Sequence, residues 1–177
     1  MKKSFWAGIV AAVLVGFGTP AAAIDGMAFE AGNGDSTDMG RVAIQWDWGK
    51  RWFQGEQWHL GGYWDLGLGY WSRDALPTQN SSITEIGFTP VFRFQRNDLA
   101  GPYAELAVGV HFLSHTHIGD KRMSTSFQFG DHVGVGYRFG AKSAWDVSYR
   151  LQHLSNGGIK KPNDGINFNQ VRLQYHF

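Results

Sequence analysis

Apolar and polar residues alternate along most of this chain, and that alternation constrains the fold more than any other feature. Successive side chains of a β-strand point to opposite faces, so each alternating segment is expected to be a strand with one apolar and one polar face. About eight such segments occur, near residues 27–32, 42–48, 58–70, 85–95, 105–112, 132–139, 145–155 and 170–177. The alternation therefore predicts an all-β protein.

The polar faces of these segments favour a membrane barrel over a soluble β-sandwich, which also alternates. In a sandwich the apolar face is the core and the charged face is wet. Here the polar face is small and mixed, which suits a narrow barrel interior filled by paired charges. Its charged members are Glu30, Asp47, Asp65, Glu85, Glu105 and Asp146 against Arg41, Arg93, Arg138, Arg150 and Arg172.

Aromatic residues favour the same fold. The apolar face is aromatic near the ends of the strands, as the interfacial girdles of a membrane barrel require. These aromatic residues are Trp46, Trp48, Trp58, Trp71 and Tyr175. Together with the number of segments, they predict an all-β, eight-stranded antiparallel transmembrane β-barrel of the bacterial outer membrane.

The first residues resemble an export signal. Lys2 and Lys3 precede an apolar run over residues 5–17, and residues 21–23 are three alanines of the small-x-small form that a signal peptidase cuts. We expect residues 1–23 to be a cleavable signal peptide and residues 24–177 to form one barrel domain. The alternative is a retained membrane anchor, but the apolar run is short for a spanning helix.

Composition limits the chemistry. The chain has 0 Cys, so neither disulfides nor thiolate metal sites are available. A formal net charge of +1 argues against a nucleic-acid partner. His115 and His117 are spaced like a metal-binding pair but lack an evident third ligand, so we expect no metal and no cofactor.

His153 and Ser155 lie on the outward-facing, apolar phase of the predicted strand 145–155. Longer polar connections at 72–81, 115–124 and 156–166 are expected to face outside, and shorter turns the periplasm, which places this strand end at the outer leaflet. A Ser–His pair is the usual way to activate a hydroxyl nucleophile, and Asn167 is expected opposite His153 on the next strand. The alternative is a pair of polar residues at the headgroup level.

The segment from His153 to Ile166, HLSNGGIKKPNDGI, closely resembles the signature of the PagL family of lipid A 3-O-deacylases, whose pattern is H-x-S-N-(A/G)-G-(I/L)-K-x-P-N-D-G. Residues 46–48, 62–65, 90–92 and 118–120 resemble family landmarks in the same order. The resemblance implies an eight-stranded outer-membrane barrel that hydrolyses the ester at the 3-position of lipid A. It identifies His153 and Ser155 as catalytic.

One position departs from the family pattern. The acidic third member of the best-known form falls on Asn167 here, and an Asn orients the imidazole without contributing a full negative charge. Asp164 is the nearest candidate substitute acid, although a turn role in the Pro-Asn-Asp-Gly segment is the simpler interpretation. Asp131 falls on the apolar phase of the adjacent strand, where we expect a bulge that turns it inward.

The resemblance also implies a mechanism and a partner. Ser155 attacks the ester carbonyl, His153 carries the proton and Asn167 steadies His153. The backbone N–H of Gly158 and the amide of Asn163 are the candidate oxyanion donors, while Asn156 is expected to shape the turn.

The partners expected are lipid A, or lipopolysaccharide, and the lipids of the outer membrane. Lys160 and Lys161, with Lys121 and Arg122 on another loop, are expected to contact lipid A phosphates. The alternative is that they are ordinary solvated side chains of the loops. The sequence contains no signal for an oligomeric state.

Two other functions remain open at the level of sequence. A barrel acyltransferase or phospholipase would also use a serine and a histidine on an ester. A small structural or adhesive barrel would need neither. The fate of the acyl chain separates the first from a deacylase, and variants of Ser155 and His153 separate the second.

Overall fold

A computed structural model of the protein describes residues 23–177, in which eight long strands form a closed antiparallel barrel. The predicted fold is therefore confirmed, whereas most of the predicted signal peptide lies outside the described residues. The barrel strands are β1 (Gly26–Gly34), β2 (Thr37–Asp47), β3 (Trp58–Ser72), β4 (Ser82–Arg96), β5 (Gly101–Leu113), β8 (Phe127–Phe139), β9 (Trp145–Ser155) and β10 (Ile166–His176). A short hairpin, β6 (His117–Ile118) and β7 (Lys121–Arg122), lies between β5 and β8, and a 3-10 turn covers Ala141–Ser143.

The outer wall of the barrel is apolar and exposed. Leu68, Leu106, Val133 and Val171 each leave about half of their side chain uncovered. A soluble sandwich would bury this face as its core. A hydrocarbon environment instead favours it, so the wall fits a transmembrane barrel. The described residues contain no helix of the length and apolarity that crossing a membrane requires.

The middle of the barrel interior is filled by paired charges, as predicted. Arg41 binds Glu30 at 2.7 Å and Asp65 at 2.5 Å, and all three side chains are buried. Arg93 binds Glu105 at 2.9 Å and Asp146 at 2.6 Å. Because each arginine contacts more than one carboxylate, the charges form a connected network across the lumen.

One end of the interior is apolar, which the sequence did not predict. Its members are Met39, Trp71, Ile83, Leu113, Ile118, Met123, Leu154, Ile166 and Phe168, all buried. The assignment of Trp71 to an outward aromatic girdle is wrong, because this ring is 1% exposed and packs 5.1 Å from Phe168. Trp71 shares the inward phase of β3 with Asp65, so the alternation itself points it into the lumen.

The connections divide between two ends of the barrel. Residues 35–36, 73–81, 114–126 and 156–165 lie at the end that holds the apolar cluster, which we name the loop end, and residues 48–57, 97–100 and 140–144 lie at the other. Length alone does not separate the two sets. The 35–36 turn is the shortest connection although it lies at the loop end, and 48–57 is no shorter than 73–81.

The β6–β7 hairpin covers the loop end. Ile118 and Met123 reach from it into the apolar cluster, and both are fully buried. An ion pair of 2.9 Å joins Arg73 to Asp120 and ties the hairpin to the 73–81 connection. The hairpin therefore braces the end of the barrel where β9 leaves the sheet and β10 enters it.

Candidate active site

The candidate site lies at the loop end of β9 and β10, on the outside of the barrel. His153 and Asn167 are paired across the two strands, as the sequence predicted. Their chain neighbours Leu154, Ile166 and Phe168 point inward and are buried in the apolar cluster. Because these anchors fix the backbone from within, the outward side chains stand on a rigid surface.

The imidazole of His153 is hydrogen-bonded to Asn167. Nδ1 of His153 lies 2.8 Å from Oδ1 of Asn167. An amide oxygen only accepts, so Nδ1 carries a proton, and in the neutral form of the ring Nε2 then presents its lone pair. A neutral imidazole with a free Nε2 is the form that acts as a general base.

Ser155 follows His153 by two residues on the same outward face of β9. Its residue partner across the sheet is Phe129 of β8, and its side chain is partly covered. The Ser155 hydroxyl makes no hydrogen bond within residues 23–177. Catalytic hydrogen bonds are often long before substrate binds, so this arrangement is compatible with a nucleophile that tightens onto its base later.

Asn167 is held in turn by Asp35, a residue that the sequence did not single out. Oδ2 of Asp35 accepts hydrogen bonds from the backbone nitrogen of Asn167 at 2.9 Å and from its Nδ2 at 3.3 Å. The same oxygen lies 2.9 Å from Nζ of Lys121. Closure of the barrel pairs β1 with β10, and this pairing brings the 35–36 turn beside the site.

The electrostatic environment keeps Asp35 ionised. Burial raises the pKa of this carboxyl, but the hydrogen bonds from Lys121 and Asn167 and the positive charge of Lys121 outweigh burial, so the net shift of the pKa is downward. Asp35 is therefore a carboxylate at neutral pH.

Gly165 lies against the His153 ring and was also missed. A Cβ at this position would stand 2.9 Å from Cε1 of His153, and the backbone φ of Gly165 is +63°. Both features require glycine, because a side chain would be strained and would displace the ring. The glycine of the motif's Asp-Gly pair therefore has a packing role at the imidazole.

The loop from 156 to 165 is organised around the buried side chain of Asn156. Its Nδ2 donates to the carbonyls of Met123 and Lys160, each at 2.7 Å. Its Oδ1 accepts from the backbone nitrogen of Gly158 at 2.9 Å. The expectation that Asn156 shapes the turn agrees with these contacts, and the N–H of Gly158 already has an acceptor.

Asn163 and Asp164 have different surroundings. Oδ1 of Asn163 accepts from the backbone nitrogen of Asn156 at 3.1 Å, so its Nδ2 is the group left to face a ligand. The Asp164 carboxylate accepts from the backbone nitrogen of Arg122 at 2.8 Å, which joins the loop to β7. Within residues 23–177, the hydrogen-bond partner of the His153 ring is Asn167 rather than Asp164.

Asp131 faces outward, and the expected bulge at this position is wrong. The β8–β9 register runs without interruption and places Asp131 directly opposite His153. Its side chain is exposed among the apolar residues of the outer wall. His153 therefore lies between Asp131 on β8 and Asn167 on β10.

Three lysines lie near the site, two of them exposed and one paired with Asp35. Lys160 and Lys161 are exposed on the 156–165 loop. Lys121 is occupied by Asp35, and its Nζ also lies 3.3 Å from the carbonyl oxygen of Gly165. Nowhere in the described part of the chain do three or more His, Cys, Asp or Glu side chains gather as they would around a metal ion.

Comparisons with known sequences agree with one another. A sequence profile of the family described as Lipid A 3-O-deacylase (PagL) matches residues 38–176. The Lipid A deacylase PagL of Pseudomonas aeruginosa is 34% identical over 167 residues, which cover 94% of this chain and 94% of that protein. The Lipid A deacylase PagL of Bordetella bronchiseptica is 32% identical over 111 residues, which cover 63% of this chain and 60% of that protein.

Two solved structures share the barrel. The crystal structure of the outer membrane enzyme PagL matches with a TM-score of 0.77 and 31% identity, covering 86% of this chain and 99% of that one. The crystal structure of Neisserial surface protein A (NspA) matches with a TM-score of 0.52 and 12% identity, covering 86% of this chain and 94% of that one. The second match concerns the fold alone.

Proposed function

Because this chain belongs to the PagL family of lipid A 3-O-deacylases, we propose that it hydrolyses the ester that links an acyl chain to the 3-position of lipid A in the outer leaflet of the outer membrane. The observation that carries this proposal is the imidazole of His153, oriented by Asn167 on the membrane-facing wall of the barrel. Polar side chains on such a wall cost free energy, so their presence there points to a function. Lipid substrates reach this wall by lateral diffusion.

In the first half of the reaction, Ser155 is the nucleophile. Its Oγ attacks the ester carbonyl carbon while its proton passes to Nε2 of His153. The tetrahedral intermediate then expels the sugar oxygen, which takes the proton from Nε2 and leaves as a hydroxyl. The product of this half is an acyl-Ser155 ester.

In the second half, water replaces the sugar. His153 removes a proton from the water as it attacks the acyl carbon, and returns the proton to Oγ of Ser155 as the fatty acid leaves. Asn167 accepts a hydrogen bond from Nδ1–H of His153 throughout. Every proton and acyl group is accounted for in both halves, so neither half requires a cofactor.

The oxyanion requires hydrogen-bond donors beside Ser155. Asn163 is the stronger candidate, because its Nδ2 is free within the loop while its Oδ1 is fixed by the backbone of Asn156. Gly158 is the second candidate, and it would exchange its hydrogen bond with Asn156 for one with the oxyanion.

Lys160 and Lys161 are proposed to bind the phosphates of lipid A. Both are exposed on the loop that follows Ser155, at the predicted headgroup level. Replacing both by serine is expected to raise KM about tenfold and to leave kcat unchanged, because the contact is made equally in the ground and transition states. Lys50→Ser, at the opposite end of the barrel, is the matched control.

The test of the proposed function uses the purified barrel in detergent with lipid A, and mass spectrometry of both products. We expect lipid A to lose one acyl chain and a free 3-hydroxy fatty acid to appear. Ser155→Ala and His153→Asn are expected to fold normally and to lower kcat at least about 1,000-fold. Ser148→Ala changes a serine of the same strand that faces the lumen and should leave kcat unchanged.

Each adverse result has a distinct meaning. Unaltered lipid A with the intact protein would contradict the deacylase function. Transfer of the chain to an acceptor lipid would indicate an acyltransferase instead. Full activity of Ser155→Ala would refute the acyl-enzyme mechanism and leave the substrate assignment standing.

A further inference from the structure

Five residues at the site form a closed circuit of contacts. Nδ1 of His153 bonds to Oδ1 of Asn167, and Nδ2 of Asn167 bonds to Asp35. Asp35 pairs with Lys121, whose Nζ also reaches the carbonyl oxygen of Gly165. Gly165 in turn packs against the His153 ring. Thus the imidazole and the Asp35 carboxylate are connected from both sides.

The side-chain amide of Asn167 has two possible orientations, and Asp35 selects one of them. In the orientation observed, Nδ2 donates to Oδ2 of Asp35 and Oδ1 accepts from His153. The flipped amide would place its oxygen against the carboxylate, where two acceptors repel each other, and would offer an N–H to Nδ1 of His153. That flipped state would favour the tautomer whose Nε2 carries a proton and is unable to act as a base.

We propose that Asp35 is the positioning residue of this site: its carboxylate orients the Asn167 amide, which holds His153 with Nδ1 protonated and Nε2 free. The inference rests on the proposed function, in which His153 is the base. It makes Asp35, rather than Asp164, the acid that replaces the acidic third member of the family motif. Asp35 binds Asn167 instead of the imidazole, and Asn167 in turn binds His153. Asp35 therefore orients the imidazole through Asn167.

Two features suit Asp35 to this role. Its carboxylate is itself fixed, because a single oxygen binds the backbone and side chain of Asn167 and the ammonium of Lys121. Hydrogen bonds from these groups also keep the pKa of Asp35 below its usual value, so the negative charge is present at neutral pH.

A purely structural role for Asp35 must be separated from this one. The residue has a φ of +50° in the β1–β2 turn, a conformation that Asp and Asn tolerate better than most residues. Asp35→Asn therefore retains the turn and removes the charge. A residue that only shapes the turn would be insensitive to this change, and its loss would not be repaired by a substitution at residue 167.

The experiment is a double-mutant cycle on kcat with lipid A in detergent. Asp35→Asn is expected to lower kcat roughly 10- to 100-fold with KM within about twofold of wild type, because the charge that favours the observed orientation of the Asn167 amide is lost while the substrate contacts remain. Asn167→Glu places a carboxylate directly at Nδ1 of His153, so in that background Asp35→Asn should change kcat less than about threefold. Asp98→Asn, which changes an exposed carboxylate at the opposite end of the barrel, should leave kcat unchanged.

Two outcomes would overturn the positioning role. One is a kcat of Asp35→Asn equal to wild type while Ser155→Ala and His153→Asn are inactive, which would leave the proposed function intact. The other is an equal loss from Asp35→Asn in both backgrounds, which would show that Asp35 does not act through the side chain at position 167. Failure of the proposed function itself is recognised separately, by lipid A that stays unaltered with the intact protein.

Discussion

Gly165 lies so close to the imidazole of His153 that a Cβ on this glycine would stand 2.9 Å from Cε1 of the ring. Real Cβ atoms essentially never approach a heavy atom so closely. The glycine therefore sets how far the ring leans toward the loop. Asn167 binds Nδ1, the ring atom bonded to Cε1, so the hydrogen bond and the glycine together fix the position of this edge of the imidazole.

Gly165→Ala is expected to lower kcat about 100-fold. The added methyl group must push the His153 ring aside, and a displacement near 1 Å at a catalytic base has an effect of about this size. The positive φ adds backbone strain of about 1 kcal/mol. Steady-state kinetics with lipid A measure the effect on kcat.

Gly49→Ala separates the clash from the strain. Gly49 has nearly the same φ, +62°, but no atom lies within 4 Å of the position that its Cβ would take. This variant should show the strain in its unfolding midpoint and retain the wild-type kcat. Equal kinetic losses in the two variants would show that the contact with His153 is unimportant.

Asn156→Ala is expected to destabilise the protein by about 1–3 kcal/mol and to lower kcat as well. The variant leaves two carbonyls, those of Met123 and Lys160, without their buried donor. It also releases the N–H of Gly158. Urea unfolding of the barrel in detergent measures the first effect, and kinetics the second.

Asn80→Ala is the control for this prediction. Asn80 also donates to two carbonyls at the loop end, those of Ser82 and His117, but it lies away from the site. It should lower stability with no change in kcat. An Asn156→Ala variant that keeps full activity would show that catalysis does not depend on the hydrogen bonds that the Asn156 side chain makes within the 156–165 loop.

Arg172→Met is expected to destabilise the barrel by about 3 kcal/mol without altering kcat of the folded protein. Arg172 is fully buried and contacts both Glu30 and Asp65. Removing one member of a buried ion network leaves the other charges uncompensated. Arg96→Met breaks an exposed ion pair of 3.0 Å with Asp98 and should shift stability by less than about 1 kcal/mol. Equal unfolding midpoints for the two variants would contradict the network's role.

The strands and the central pair of the site were predictable because both follow from a period of two. Once β9 and β10 are paired, His153 and Asn167 fall opposite each other by counting. The same rule places Trp71 inside, because it lies an even number of residues from Asp65 on β3. Its aromatic character alone suggested an outward girdle position. Asp131 shows the converse error, since the register keeps a carboxylate on the apolar face without a bulge.

Other contacts of the site were beyond sequence reasoning because they join distant parts of the chain. Asp35 and Asn167 meet because the first turn and the last strand become neighbours when the barrel closes. The β6–β7 hairpin brings Lys121 to the same place, yet two short strands in a polar loop leave no periodic signal.

The stabilising contacts of Asp35 should disappear in acid with a predictable sign. Burial raises the pKa of Asp35, whereas its hydrogen bonds with Lys121 and Asn167 and the charge of Lys121 lower the pKa by a larger amount. The folded pKa therefore lies below the unfolded value near 3.8. Stability from a lowered pKa is present above the unfolded value and is lost as the pH falls through the folded one. Wild type should therefore unfold at higher urea than Asp35→Asn from pH 7 to about pH 5, and the difference should close below about pH 4. Because the two proteins share every other titrating group, a gap that persists at the lowest pH, or closes near pH 6, would show that the carboxylate of Asp35 is not the source.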